Sequence, residues 1–147
     1  MIDELNFFVY FSNPIFQLII SVLLGAFVGL RREFDLQKGN TDFRGLRTTV
    51  LVSVFGTLST IFGDSVLFPL SFFVVLGVFV AIAYFSGVSH NKIGLTSEIS
   101  LILMFWSGVL IGYEEFTLGI ILAFIVAISD AYKDKMHNFA NNINLKE

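Results

Sequence analysis

The chain has 147 residues, 55% of them apolar and only 14% charged, with a net charge of -3, eighteen Phe and no Cys; its mean hydropathy is +0.80. These proportions belong to an integral membrane protein rather than to a water-soluble domain. They exclude a disulfide framework and a thiolate metal site, and they leave no basic surface for nucleic acid, because the Lys and Arg lie beside apolar segments.

Five apolar stretches follow one another, at about residues 14–30, 45–62, 68–86, 95–111 and 116–132. As helices each would span about 25 to 29 Å, enough for a hydrocarbon core. Ahead of them, the acidic start Met1 to Glu4 lacks the basic region of a signal peptide. Residues Leu5 to Phe11 either lie in the outer interface as an aromatic-rich helix or extend the first span. The first span opens at Asn13-Pro14, an N-cap followed by Pro at the first helical position. It carries Ser21, Gly25 and Gly29 at every fourth residue, a small-residue stripe for close helix packing. The run Gly29-Leu30-Arg31-Arg32-Glu33 closes it, and the segment Arg31 to Arg47 then holds five of the nine Lys and Arg.

The second span sets Thr49, Ser53, Thr57 and Thr60 on one face. Such hydroxyls return hydrogen bonds to the carbonyl one turn earlier in an ordinary membrane helix, or line a polar path for an ion; the sequence leaves both readings open. Gly63, Asp64, Ser65 and Pro69 punctuate the turn into the third span. The fourth opens with Gly94-Leu95-Thr96-Ser97-Glu98 and repeats the small-residue device at Gly108 and Gly112. After Glu114-Glu115 the fifth span carries Gly119, Ala123, Ala127 and, in its last turn, Asp130, and residues 133–147 form a short tail.

The placement of Lys and Arg orients this arrangement. None precedes the first span, five lie between spans one and two, Lys92 lies between spans three and four, and Lys133, Lys135 and Lys146 follow the fifth. All fall on one side of a five-span bundle, which the positive-inside rule makes cytoplasmic. The expected fold is therefore all-α: a single polytopic domain of five transmembrane helices, N-terminus outside and C-terminus inside. A multi-pass place in a bacterial inner membrane is the matching expectation.

The same end collects the charges of greatest interest. An ionisable group inside a span costs several kcal/mol unless it is paired or hydrated, which singles out Glu98, with Glu33 and Asp130 at the same depth. Arg44 and Arg47 lie beside them. The cluster is either a salt-bridge network pinning helix ends, with Arg47 paired to Glu98, or a cation or proton site whose carboxylates exchange partners. Asp130, Asp134 and His137 share a helix face at metal-binding spacing, but alternation with Lys133 and Lys135 favours a solvated surface. No nucleophile paired with a base, phosphate-cradling glycine loop or HExxH-type motif is present, so nothing points to an enzyme.

The paired motifs Gly25-Ala-Phe-Val-Gly29-Leu-Arg-Arg-Glu33 and Gly45-Leu-Arg47-Thr48, with Gly94-Leu-Thr96-Ser-Glu98 further on, resemble the signature of the MgtC/SapB family of bacterial inner-membrane proteins. Arg31 stands where the family commonly has Glu, and Arg44 where it has a small residue, so any family role for that acidic position is not carried over. The resemblance implies a link to magnesium homeostasis, with magnesium as substrate or effector; no resident cofactor is expected, and with only residues 133–147 after the fifth span the soluble C-terminal domain some relatives carry is not expected either. Two functional classes remain: a protein that moves or senses a cation through Glu33, Glu98 and Asp130, and a non-transporting module that packs against another membrane protein. The glycine faces also raise the expectation of a homodimer in the lipid bilayer.

Overall fold

The computed structural model describes residues 13–36, 45–63, 65–88 and 95–144, with side chains described within 13–30, 45–63, 65–85 and 96–132. The segment Leu5 to Phe11 lies outside the described residues. Among those described there are five helices and no strand: α1 (Pro14–Leu36), α2 (Leu46–Ile61), α3 (Leu67–Val88), α4 (Leu95–Gly112) and α5 (Phe116–Asn144). Three of the five, α2, α3 and α4, follow the apolar stretches closely, whereas α1 and α5 run on into the charged residues beyond Leu30 and Tyr132. Only α3 is both long and apolar enough to cross a membrane on composition alone, over Leu67–Phe85 with a mean hydropathy of 2.4. The apolar parts of the others, Pro14–Leu30, Leu46–Ile61, Thr96–Gly112 and Phe116–Tyr132, are shorter, about 24 to 26 Å as helices.

Local chemistry sets the helix ends. Asn13 accepts a hydrogen bond at Oδ1 from the Ile15 amide (2.9 Å), and Pro14 occupies the first helical position, where its missing N–H costs nothing. Ser65 caps α3 through Oγ to the Leu67 amide (3.3 Å), and Pro69 falls within the first turn, where a ring is tolerated. At the end of α4 the Glu115 amide bonds to the Leu110 carbonyl (2.9 Å) and the Glu114 amide to the Ile111 carbonyl (3.1 Å). This is a Schellman closure with Glu114 at φ 67°, the left-handed position usually given to Gly. It reverses the chain in three residues.

Contacts along the helices fix their directions. Gly25 faces Val50 and Gly29 faces Leu46, so α1 and α2 are antiparallel. Gly56 faces Phe105 while Thr60 faces Gly112, so α2 and α4 run parallel. Ser107 meets Gly119 and Ser100 meets Asp130, which makes α4 and α5 antiparallel. Phe16 packs on Phe116 and Phe27 on Phe124, so α5 returns beside α1 in the same direction. The result is a four-helix core of α1, α2, α4 and α5. Helix α3 lies outside it, touching α2 and α4 and neither α1 nor α5 among the described residues. It is held by rings: Phe72 on Phe55 (4.7 Å) and Phe73 on both Phe105 (5.9 Å) and Trp106 (5.7 Å).

Burial inverts the pattern of a water-soluble protein. Ser21, Thr49, Ser53, Thr57, Ser59 and Ser107 are fully buried, while Ile15, Leu23, Phe27, Leu51, Phe79 and Ile125 stand on the surface. An exterior this apolar is suited to lipid. The backbones meet where side chains are absent. A Cβ on Gly25 would lie 2.7 Å from the Val50 Cα, one on Gly29 2.6 Å from the Leu46 Cα, and one on Gly108 would fall on the Ser53 carbonyl oxygen. Gly77 on α3 has nothing within 4 Å of that position. Gly108→Ala is therefore expected to lower the thermal midpoint in detergent, followed by circular dichroism, by the several degrees that correspond to about 1 to 3 kcal/mol of overpacking. Gly77→Ala should leave it unchanged or slightly raised, since Ala is the better helix former by about 1 kcal/mol.

Candidate functional site

Helix α2 is the centre of the molecule, and its hydroxyl face is directed at its two neighbours. Thr57 Oγ1 donates to the Gly108 carbonyl of α4 (2.9 Å) and is also in hydrogen-bond contact with Ser21 Oγ of α1. Ser21 Oγ also lies 3.0 Å from the Gln17 carbonyl of its own helix. Thr60 and Ser59 return bonds to Thr57 O (2.7 Å) and Gly56 O (2.5 Å). Thr49 bonds to the Gly45 carbonyl (3.2 Å). Of the four positions read from the sequence as a possible path, Thr49, Thr57 and Thr60 are thus engaged with backbone carbonyls. Ser53 Oγ, fully buried, has no hydrogen-bond partner. Two of these six side-chain contacts join helices, Thr57 to α4 and Ser21 to Thr57, each worth about 0.6 kcal/mol in a membrane interior, and the other four close turns within α1 and α2.

The second polar constellation occupies the end of the bundle where α2 and α4 begin and the apolar part of α5 finishes. Glu98 stands in the first turn of α4, where the helix N-terminus favours a carboxylate, and it is only 6% exposed. Ser97 and Ser100 beside it are buried as well. Ser100 Oγ lies 3.0 Å from the Thr96 carbonyl and 2.9 Å from Asp130 Oδ1, tying α4 to the last apolar turn of α5. Glu98 and Asp130 each engage a further group. Arg47 sits exposed in the first turn of α2, and among the described residues no ion pair joins it to Glu98. The backbone of Glu33 lies in the last turns of α1 at this same end, with its side chain outside those described, and Arg44 lies outside the described residues.

Other candidates do not assemble. Among the described residues no three His, Cys, Asp or Glu come together to hold a metal ion; the side chains of Asp134 and His137 are outside those described. The stripes Ser21, Gly25, Gly29 and Gly108, Gly112 are both consumed against α2 within the chain. Gln17, Ser97, Ser100 and Ser107 are buried polar residues that the sequence reading did not single out. A signal existed for one of them, since Gln17 extends the four-residue repeat of Ser21, Gly25 and Gly29 by one turn. Ser107 donates to the Gly119 carbonyl (2.8 Å), so its role depends on where α5 packs.

A helical bundle with a polar interior, an apolar surface and a charged end defines a membrane-associated protein. A family model described as the MgtC family matches residues 18–139, and the chain belongs to that family. The match covers all five helices at least in part, and it brings a link to magnesium physiology. No curated protein and no solved structure matches the chain.

Thr57 is the residue on which three helices converge, and its substitutions should separate hydroxyl from shape. Thr57→Val, which keeps the volume, is expected to destabilise by about 1 to 2 kcal/mol, the value of the two lost interhelical bonds, while Thr57→Ser retains most of the stability. Thermal unfolding in detergent reads the difference; equal midpoints for the two variants would remove the hydroxyl from the account.

Proposed function

We propose that the protein is a five-span, multi-pass protein of the bacterial inner membrane, N-terminus outside and C-terminus inside, that responds to a cation at its cytoplasmic end and serves magnesium homeostasis. The observation that carries this reading is Glu98: a carboxylate 6% exposed within an apolar-surfaced bundle, with Asp130 tied to the same helix by Ser100. A carboxylate inside an apolar-surfaced bundle marks an ion or proton site by default, and Glu98, Asp130 and Glu33 gathered at one end together favour a cation beside them. Magnesium sheds its water reluctantly, so these carboxylates would meet it through retained waters, with Arg44 and Arg47 setting the charge balance around them. The orientation rests on the location of every Lys and Arg at or beyond that end of the helices.

The hydroxyl face of α2 supports sensing over conduction by a single chain, because Thr49 and Thr57 are bonded to carbonyls inside a tightly packed interface. Conduction would use a path between subunits. Magnesium flux into proteoliposomes, compared for wild type and Glu98→Gln, tests the reading. The expectation for a sensor is no flux from either protein, together with magnesium-dependent protection of the wild type from proteolysis that Glu98→Gln loses. Flux abolished by Glu98→Gln would replace sensing by transport, and neither effect would leave the second class, a module acting on another membrane protein.

A homodimer is part of this proposal, and α3 is the face available to it. The glycine stripes of α1 and α4 are occupied within the chain, whereas α3 exposes Val74, Val78 and Phe79 beside the open Gly77. The chain has no Cys, so Val78→Cys gives a single probe. Disulfide-linked dimers after oxidation in native membranes are expected for Val78→Cys and not for Leu23→Cys on α1; equal linkage at both positions would signal random collision.

A further inference from the structure

We propose that the junction of α1, α2 and α4 around Ser21, Ser53 and Thr57 binds one dehydrated monovalent cation of the sodium class. The site is separate from the Glu98 end and does not depend on the function proposed for it.

Hydroxyl protons are outnumbered by their acceptors at this junction. Ser21 and Thr57 together bring two hydroxyl protons to a region where Gln17 O lies 3.0 Å from Ser21 Oγ, while Gly108 O and Ser53 O lie 2.9 and 3.4 Å from Thr57 Oγ1. The two hydroxyls also meet each other. Two protons cannot serve four contacts, so lone pairs are left over whichever way the hydroxyls turn. Ser53 adds a second, independent sign. Its Oγ is fully buried without a hydrogen-bond partner, on the same face of α2 as Thr57 and one turn before it. Buried hydroxyls with nothing to bond are rare, and each calls for an explanation. Gly108 contributes as well: with no side chain of its own it packs directly on the Ser53 backbone, and its carbonyl stays open to Thr57.

An excess of oxygen lone pairs with no formal charge selects the ligand. A single water would bring two protons and leave the remaining oxygens without a donor. A small singly charged cation is matched by several hydroxyl and carbonyl oxygens at once. A divalent ion is not, because the desolvation cost rises with the square of the charge and no carboxylate is among these oxygens to offset it. On binding, the ion sits between the Ser21 and Thr57 hydroxyls, which separate to either side of it, and Ser53 Oγ gains the partner it lacks. The bound ion would then clamp α1 and α4 to α2 at the middle of the bundle.

Ser53→Ala is the clean probe, since Ser53 Oγ has no hydrogen bond to lose. Thermal midpoints of the detergent-purified protein are compared in sodium chloride and choline chloride at equal ionic strength, without magnesium. Sodium is expected to raise the wild-type midpoint saturably by about 5 °C over choline. Glu98→Gln should show the same rise, which separates this site from the carboxylate end. Ser53→Ala should keep its midpoint in choline and lose the sodium rise. No difference between the salts for the wild type would overturn the proposal and leave Ser53 bonded to water only. So would a sodium rise that survives intact in Ser53→Ala, which would place the ion elsewhere.

Discussion

The rest of the structure depends on the approach of α2 to α4 at backbone contact. Two helices that carry side chains on their facing surfaces keep their axes about 8 to 10 Å apart. Here Gly56, Gly108 and Gly112 remove those side chains, and the carbonyls of Phe105, Ser53 and Thr57 come up against glycine Cα positions instead. Only at that separation can the Thr57 hydroxyl span the gap to a main-chain acceptor on the other helix. Lipid offers no hydrophobic reward for joining two apolar helices, so shape and hydrogen bonds must supply the association. Gly25 and Gly29 do for α1 what Gly108 and Gly112 do for α4. The central helix is gripped from both sides.

This arrangement also explains why the interior is polar. Ser and Thr are small enough to sit in an interface with almost no thickness, and each can hand its proton to a carbonyl. Leu or Phe at those positions would hold the backbones apart. Larger apolar residues are displaced to the lipid-facing surface and to the layer under α3, where Phe55, Phe72, Phe73 and Phe105 fill a wider gap. The charged end follows from the same geometry. Because α2 and α4 start at one level, and α1 and α5 pass through it, Glu98, Arg47, Glu33 and Asp130 share a depth although they lie far apart in the chain. Burial differs sharply between them, with Glu98 inside and Arg47 outside.

Much of this was legible in the sequence. The five helical segments, the Asn13-Pro14 start and the four-residue spacing of Ser21, Gly25 and Gly29 are local signals, and local signals survive without knowledge of neighbours. The family was legible too, from the two glycine-arginine motifs and their separation. Partner choice was not. Nothing in the spacing of Gly108 and Gly112 says that they meet α2 rather than a second subunit, and nothing beside Arg47 says that its side chain leaves the bundle. Ser100 and Ser107 read as ordinary polar residues until α5 lies against them, because each contact joins residues from two separate helices. The limit of the reading falls where periodicity ends and packing begins.

Helix α3 acquires its meaning from the parallel run of α2 and α4. Two adjacent helices that point the same way cannot be joined by a tight turn, so the chain must travel back along its own length before the second can begin. A parallel β-sheet meets the same geometric demand with its crossover helix. Helix α3 is that return leg, laid along the outside and fastened by a few rings, and its duties within the chain are to be long enough and apolar enough for the journey. Its neighbours α2 and α4 must satisfy a contact at almost every turn. Sequence freedom is therefore distributed unevenly in this small protein: broad along the return leg, where one large apolar residue serves as well as another, and narrow where glycine and hydroxyl meet.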